Sequence, residues 1–535
     1  MTRHGRATGA AVLSVALALL LAGSAALAQE RGPEPLFPDL AVPPPSGLDA
    51  PLLEPSDAIA VEPLAPTGLD ARSIADPVAR VLGPAPWSGA DPAAVDAALD
   101  ALPLDTPVPD LRRLVRGVLA APAPIGEPDG ERLARRIDAL ARAGDWAAAQ
   151  ALLGEAGDAT PRLERLAIEL ALDLDQGAAA CARAGPERPV DPFWTRLRIW
   201  CALRDSNRAG ARLLAELNQP DGSSFDAAAA RMLGADGGGR VETGPAPSAL
   251  DLAMVKLARA GLVVTGDAAP SARLLRALTA GASADPAIAA SAAQAAGLRG
   301  LIEPQETTRI WQGVTRTLPD PALQRRLAAL RGLARTPAES LSGPLREAWR
   351  GEPPGPFRPF WARLLRPWLD ALPPAVVDDR TALDLAEIAL AAGAVDQAAA
   401  YRERARVVES AEVDGRAERQ SERIALGLAL AGRDVGTGLP SSPDDVLAEP
   451  RARLALVLAT AAGIELGPAW GEAMPPAPWD DAPALMLARA IAALDAIARD
   501  GEPGAAGEAL ATLDVLGFVE ERRAVSRWLA AAWLL

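Results

Sequence analysis

Histidine is almost absent from this 535-residue chain, which contains only His4. Imidazole is the side chain most often used in general acid–base catalysis, and it is the commonest metal ligand. His4 lies in an N-terminal segment that we expect to be removed on export, so the mature chain would have no imidazole. This absence excludes Ser-His-Asp and Cys-His catalysis, HExxH zinc sites and His-ligated metals or haem. We therefore expect a protein that is not an enzyme and that holds no metal or other cofactor.

Positive charge is also scarce. The 54 Lys and Arg residues are outnumbered by 69 Asp and Glu residues, which gives a formal net charge of −15. Nucleic acids and anionic membrane surfaces both attract proteins through a basic surface. The charge balance therefore excludes a nucleic-acid partner and argues against binding to anionic lipid.

Aromatic residues make up only 4% of the chain, although half of its residues are hydrophobic. The core must therefore consist mostly of Ala and Leu, which both have high helix propensity. Val, Ile, Tyr and Phe favour strands, but they are sparse here and never alternate over a long stretch. The composition predicts an all-α fold.

The first 28 residues have the pattern of a secretory signal peptide. Arg3 and Arg6 precede the apolar run AAVLSVALALLLAGSAALA, which ends in Ala-Leu-Ala at 26–28. A basic segment, a short apolar segment and an A-x-A end predict cleavage after Ala28 and a periplasmic or secreted protein. A retained membrane anchor is the alternative, but serines and a glycine interrupt the run. No later run is long and charge-free enough to predict a membrane span.

Proline is frequent between the predicted cleavage site and the first predicted helix. Residues 29–88 have Pro every few positions, which removes backbone donors and blocks helices, so we predict a disordered leader that tethers the folded part. Helices are expected to begin near Asp91, where an Asp N-cap precedes a Pro. Breaks around 218–250 and 433–450 divide the remainder into predicted helical regions 89–235, 246–432 and 450–535.

One pattern occurs in three copies that are spaced 31 residues apart. ARAGDWAAAQALL at 141–153 has the same skeleton as DLDQGAAACARAG and RDSNRAGARLLAEL further along the chain. Each copy has a small or polar residue at the break, namely Gly144, Asp175 or Ser206, followed by alanines in register. Related motifs occur at 393–400 and 501–510. The spacing predicts irregular helix–turn–helix repeats that stack into an α-solenoid.

These turn-plus-alanine motifs, at 144–153, 175–184, 206–215, 393–400 and 501–510, resemble those of the tetratricopeptide class of helical-repeat proteins. The spacing of 31 residues differs from the spacing of about 34 that is usual for this class, and the Trp-Leu-Gly-Tyr signature of the class is absent. The resemblance implies a curved stack of helix pairs with a concave groove for peptide segments or partner proteins.

Cys181 and Cys201 are the only cysteines. Cys181 falls on the second helix of one predicted unit and Cys201 on the first helix of the next, so antiparallel packing would bring them together. Because an exported chain meets an oxidising environment, we predict a disulfide bond. Two buried free thiols are the alternative.

The richest aromatic stretch is EAWRGEPPGPFRPFWARLLRPWLDALPP. Aromatic and arginine side chains dominate protein interfaces, and aromatic rings can also stack on sugars. A core cluster is nevertheless the preferred interpretation, since Phe360, Leu364 and Trp368 share one helical face. The candidate interaction residues are Trp349, Phe357, Arg358, Trp361, Arg363 and Trp368.

The repeats and the missing catalytic side chains predict an exported, non-enzymatic scaffold or adaptor that binds other proteins of the cell envelope. The alternative is a periplasmic protein that binds cell-wall or exopolysaccharide glycans, or one that cleaves them, through the 349–368 stretch.

Overall fold

A computed structural model describes residues 68–125, 130–156, 160–185, 187–188, 191–218, 222–234, 239–282, 285–406, 415–435, 451–464 and 481–535. The predicted signal peptide and most of the predicted leader lie outside these residues. The last part of the leader is folded, however, because a helix spans Pro77–Leu82 and Val78 and Trp87 are buried in the core. The prediction that residues 29–88 are disordered, with helices beginning near Asp91, was therefore wrong for residues 68–88. Within the described residues the chain is all-α, with 24 α-helices and two short strands. None of the described helices combines the length and apolar character needed to cross a membrane.

The first six helices lie close together in sequence and are joined by short connections. Residues Leu69–Ala71 form a 3-10 turn ahead of them. The helices are α1 Pro77–Leu82, α2 Pro92–Asp100, α3 Pro109–Ala120, α4 Glu131–Ala143, α5 Trp146–Ala156 and α6 Pro161–Asp173.

The next seven helices flank the only strands in the described part of the chain. They are α7 Gly177–Ala182, α8 Pro192–Arg204, α9 Arg208–Leu217, α10 Ser224–Leu233, α11 Ala249–Leu257, α12 Ala272–Ala277 and α13 Pro286–Leu298. Strands β1 Arg240–Thr243 and β2 Gly261–Val264 pair in parallel, with Val241 opposite Leu262. Helix α11 is the crossover between them. A four-residue strand thus lies inside the stretch that the glycines at 237–239 mark as a break.

The remaining helices run to the carboxyl end of the chain. They are α14 Pro304–Gln312, α15 Pro321–Leu333, α16 Ser342–Arg350, α17 Arg358–Leu369, α18 Asp379–Ala391, α19 Val395–Arg406, α20 Gly415–Leu430, α21 Arg451–Ala461, α22 Pro483–Asp500, α23 Ala506–Val515 and α24 Val519–Trp533. Three one-turn helices complete the structure. Leu278–Ala282 follows α12, Ala338–Ser340 precedes α16, and Pro374–Val376 precedes α18.

Asp-Pro pairs begin several of these helices. The Asp91 carboxylate accepts a hydrogen bond from the backbone N–H of Ala94 at 3.1 Å, and Asp191 accepts one from Trp194 at 3.0 Å. The proline that follows occupies the first helical position. A backbone N–H at that position has no partner within the helix, so the N–H that proline lacks costs no hydrogen bond. The same arrangement begins helices α1, α13 and α15.

The breaks of the 31-residue pattern are left-handed turns between antiparallel helices. Gly144, Asp175 and Ser206 have φ of 87°, 59° and 63°. The next residue in each turn donates a backbone hydrogen bond that closes the preceding helix, for example Asp145 to Leu140 at 2.9 Å. Gly393 and Gly501, at the two related motifs, also have positive φ. These turns reverse the chain and produce the helix pairs α4–α5, α6–α7, α8–α9, α18–α19 and α22–α23.

Helices from the two ends of the described chain share one hydrophobic core. Helix α22 packs against α2 and α3, and α24 packs against α3. The core around these helices contains Leu111 and Leu114 together with Leu487 and Leu529, all fully buried. The described residues belong to one compact unit, and its packing continues across the predicted breaks at 218–250 and 433–450. The three region boundaries themselves stay a prediction.

Candidate functional site

The aromatic stretch of 349–368 lies on α16, α17 and the loop between them. Trp349, Trp361 and Phe357 have 0%, 1% and 8% of their surfaces exposed. The indole N–H of Trp361 donates to the carbonyl of Ala348 at 3.0 Å. Because the ring faces are covered by protein, they cannot stack on a sugar or form the centre of a docking surface. The structure therefore places these rings in the core, which is the interpretation that their shared helical face favours, and nothing described favours a glycan site here.

The arginines of the stretch cover aromatic rings from inside the protein. The guanidinium carbon of Arg358 lies 4.2 Å from the ring centre of Trp349, and that of Arg363 lies 5.4 Å from Phe360. Burial is the first cause that lowers the pKa of both arginines. Trp368 is only partly buried at the end of α17. The six predicted residues are thus adjacent, but they contribute packing and charge pairing beneath the surface.

Two carboxylates that the sequence analysis did not single out complete this cluster. Asp384 and Glu387 lie one turn apart on α18 and are 2% and 3% exposed. Helix α18 packs against α16, α17, α19, α20 and α24, so all its faces meet protein. The sequence contains a signal that could have identified these carboxylates, because two acidic residues three positions apart interrupt an otherwise apolar run at 382–391. Spacing alone, however, does not say whether such acids face solvent.

Each buried carboxylate has defined partners. Glu387 accepts from the indole N–H of Trp349 at 2.9 Å and from Arg423 at 3.3 Å. Asp384 accepts from two nitrogens of Arg350, at 3.1 and 2.7 Å. Burial raises the pKa of Glu387, while Arg423 and Arg358 act in the opposite direction. Buried charges of this kind are tolerated when paired and hydrogen-bonded, and this network joins helices α16, α17, α18 and α20.

The two cysteines lie on neighbouring helices and form a disulfide bond. Cys181 on α7 and Cys201 on α8 have Cα atoms 5.7 Å apart. The bond therefore links the second helix of one pair to the first helix of the next. Both residues are partly buried against the core that contains Trp194 and Trp200.

Helix α9 exposes a stripe of apolar side chains. Ala209, Leu213 and Leu217 follow at four-residue intervals and all are exposed, the two leucines by 62% and 66%. Only Ala211 of this helix is buried. Helical periodicity alone would place these leucines in the core, so the exposed stripe was not predicted.

Metal ligands do not cluster in the described part of the chain, where no group of three His, Cys, Asp or Glu side chains could hold an ion. No family model, curated protein or solved structure matches the chain. The resemblance to tetratricopeptide proteins therefore depends on the turn-plus-alanine motifs alone.

Proposed function

We propose that this chain is an exported, non-enzymatic scaffold or adaptor that binds other proteins of the cell envelope. The observation that supports it best is the succession of antiparallel helix pairs joined by left-handed turns at Gly144, Asp175 and Ser206. In arrays of this kind the outer faces of successive helices form an extended binding surface, and here the helices at the two ends of the described chain also pack on each other. A tetratricopeptide-like role in holding partner segments is consistent with this architecture.

Export is part of the proposal. The N-terminal sequence has the order of a signal peptide, and the disulfide between Cys181 and Cys201 suits an oxidising compartment. The periplasm, or the outside of the cell, satisfies both observations.

The stripe on α9 is the part of the surface where we expect a protein partner to bind. Exposed leucines at four-residue spacing are the kind of anchor that an apolar partner segment covers. The opposite side of α9 packs on α8, which the disulfide fixes to α7. The stripe is therefore presented by a rigid element, and binding would require little ordering of the chain.

Site-specific photo-crosslinking in intact cells tests this function. A crosslinking residue at position 213 should yield one dominant protein adduct, and the adduct should disappear in a chain that also carries Leu217→Glu. Val376, which is 68% exposed on a separate one-turn helix, provides the matched control position and should yield no such adduct. Equal adducts at both positions, or a 213 adduct that survives Leu217→Glu, would count against specific binding here.

A further inference from the structure

An arginine-lined pocket of about 380 Å³ lies where α3, the α4–α5 turn and residues 299–301 meet. Its charged lining residues are Arg112, Arg113, Arg116, Arg299 and Asp145. Four guanidinium groups and one carboxylate are unexpected in a chain whose net charge is −15. A volume of this size is within the range of pockets that hold small molecules.

Arg112 is held in place by neutral groups. Its Nη1 donates to the backbone carbonyls of Thr106 and Leu298, at 3.0 Å each. Among the residues that the structure describes, no carboxylate lies within ion-pair distance of Arg112. Burial, followed by the nearby charge of Arg363, lowers the pKa of Arg112 to about 10. The guanidinium is therefore positioned and charged, but it lacks a direct counter-ion.

Arg299 is positioned in a similar way. Its Nη1 donates to the carbonyl of Pro270 at 2.8 Å. Its Nη2 lies 3.5 Å from Asp105, which is also bound by Arg499 at 2.8 Å. One carboxylate is thus shared by two arginines, and its contact with Arg299 is the longer of the two.

The other two arginines of the lining are already paired. Arg116 lies 3.2 Å from Asp76 and 3.5 Å from Asp145, and Arg113 pairs with Asp110 on its own helix. These ion pairs neutralise both side chains, which therefore require no further partner. Arg112 and Arg299 are therefore the lining arginines with the weakest ion pairing. Asp110 and Glu303 act on Arg112 only at longer range, and Arg299 reaches its carboxylate at 3.5 Å.

We propose that this pocket binds a small oxyanion ligand, a polycarboxylate or a phosphate-bearing molecule, between Arg112 and Arg299. Guanidinium groups recognise carboxylate and phosphate oxygens through paired hydrogen bonds, and a desolvated pocket strengthens those bonds. Leu104, Leu119 and Leu301 line the remainder and would contact the apolar part of the ligand. This site is independent of the α9 stripe and does not depend on the proposed scaffold function.

Calorimetric titration of the purified chain with citrate and with inorganic phosphate, each against sodium chloride of equal ionic strength, tests the proposal. We expect saturable binding of at least one probe at one site per chain. Arg299→Gln should weaken it at least about tenfold, because a charge-assisted pair is lost. Binding of citrate alone identifies a polycarboxylate site, and binding of phosphate alone identifies a phosphate site.

Two further variants keep the result interpretable. Asp145→Asn retains an N-cap for α5, where Asp145 Oδ1 accepts from Ala148 N–H at 3.1 Å, and it removes the only carboxylate of the lining. It should bind the probe several-fold more tightly. Arg309→Gln, on the surface of α14, should bind as the unmodified chain does. Absence of binding for both probes, or equal binding by the unmodified chain, Arg299→Gln and Arg309→Gln, would overturn the proposal.

Discussion

The indole nitrogen of Trp349 donates a hydrogen bond of 2.9 Å to Glu387, and both side chains are almost fully buried. This bond joins α16 to α18 across the interior. It also assigns a structural role to this part of the aromatic stretch, because a tryptophan that is hydrogen-bonded to a buried carboxylate is held inside the protein and cannot contact a partner.

Glu387→Ala should destabilise the protein strongly. Alanine leaves the buried indole N–H of Trp349 without its acceptor and removes most of a fully packed side chain. An unpaired buried donor costs about 1–3 kcal/mol, and the lost packing adds to that cost. The free energy of unfolding from urea denaturation measures the effect. Glu306→Ala, in an exposed pair with Arg309, is the control and should leave the midpoint nearly unchanged. A small loss in Glu387→Ala would mean that the network contributes little.

Reduction of the disulfide should lower stability. The bond spans 20 residues, and closing a loop of this length stabilises the folded state by about 3 kcal/mol through the unfolded chain. Urea unfolding with and without a reducing agent should show this loss for the unmodified chain and none for Cys201→Ser. If thiol titration of the exported protein finds two free cysteines, the bond does not form in the cell.

The left-handed turns provide a test of the repeat geometry. Ser206 has φ of 63°, a conformation that costs a residue with a Cβ about 1 kcal/mol relative to glycine. Ser206→Gly should therefore stabilise the protein by about that amount in urea unfolding.

Gly144→Ala should have the opposite effect. Gly144 has φ of 87°, and a Cβ there would lie 2.3 Å from Leu301 Cδ2. A stabilised Gly144→Ala, or a destabilised Ser206→Gly, would contradict the turn geometry shared by the repeats.

Stability should depend on pH through Glu169, which lies on α6 with Arg273 3.4 Å away. Burial raises the pKa of Glu169 above its ordinary value of 4.5, so the folded chain binds this proton more tightly than the unfolded chain. The stabilising contribution is therefore largest in acid and is lost as pH rises through the folded-state pKa.

The stability advantage of the unmodified chain over Glu169→Gln should consequently be larger at about pH 5 than at about pH 8. Glu306 supplies the contrast, because its hydrogen bond to Arg309 lowers the pKa. For Glu306→Gln the advantage should instead stay constant between these two pH values and should fall only in more acidic solution, below the ordinary pKa of 4.5. The same pH trend for both variants would contradict the burial argument for Glu169.

Local features of the structure are readable from the sequence, and long-range ones are not. Gly144, Asp175 and Ser206 could be identified because a helix-reversing turn depends on a few adjacent residues. The burial of Asp384 and Glu387 could not, since it depends on Trp349, Arg350 and Arg423 from other helices. The packing of α22 on α3 joins segments almost four hundred residues apart, and no periodicity encodes it.

The interaction surface shows the same limit. Arginines and aromatic residues at 349–368 give this stretch the composition of an interface, yet the rings of Trp349, Phe357 and Trp361 are buried. Leu213 and Leu217 are apolar residues of the type that usually forms a core, yet no described element covers them. Exposure depends on where the next helix pair lies, and that position is a property of the whole stack.

The most direct test of the central claim is the native mass of the chain isolated gently from the cell envelope. We predict a discrete complex with a second protein at fixed stoichiometry, which the Leu213→Glu, Leu217→Glu double variant reduces to the monomer without loss of helical content. A chain that is monomeric in every envelope preparation, or a complex unchanged by the double variant, would contradict the claim that this helical surface works by binding a protein partner.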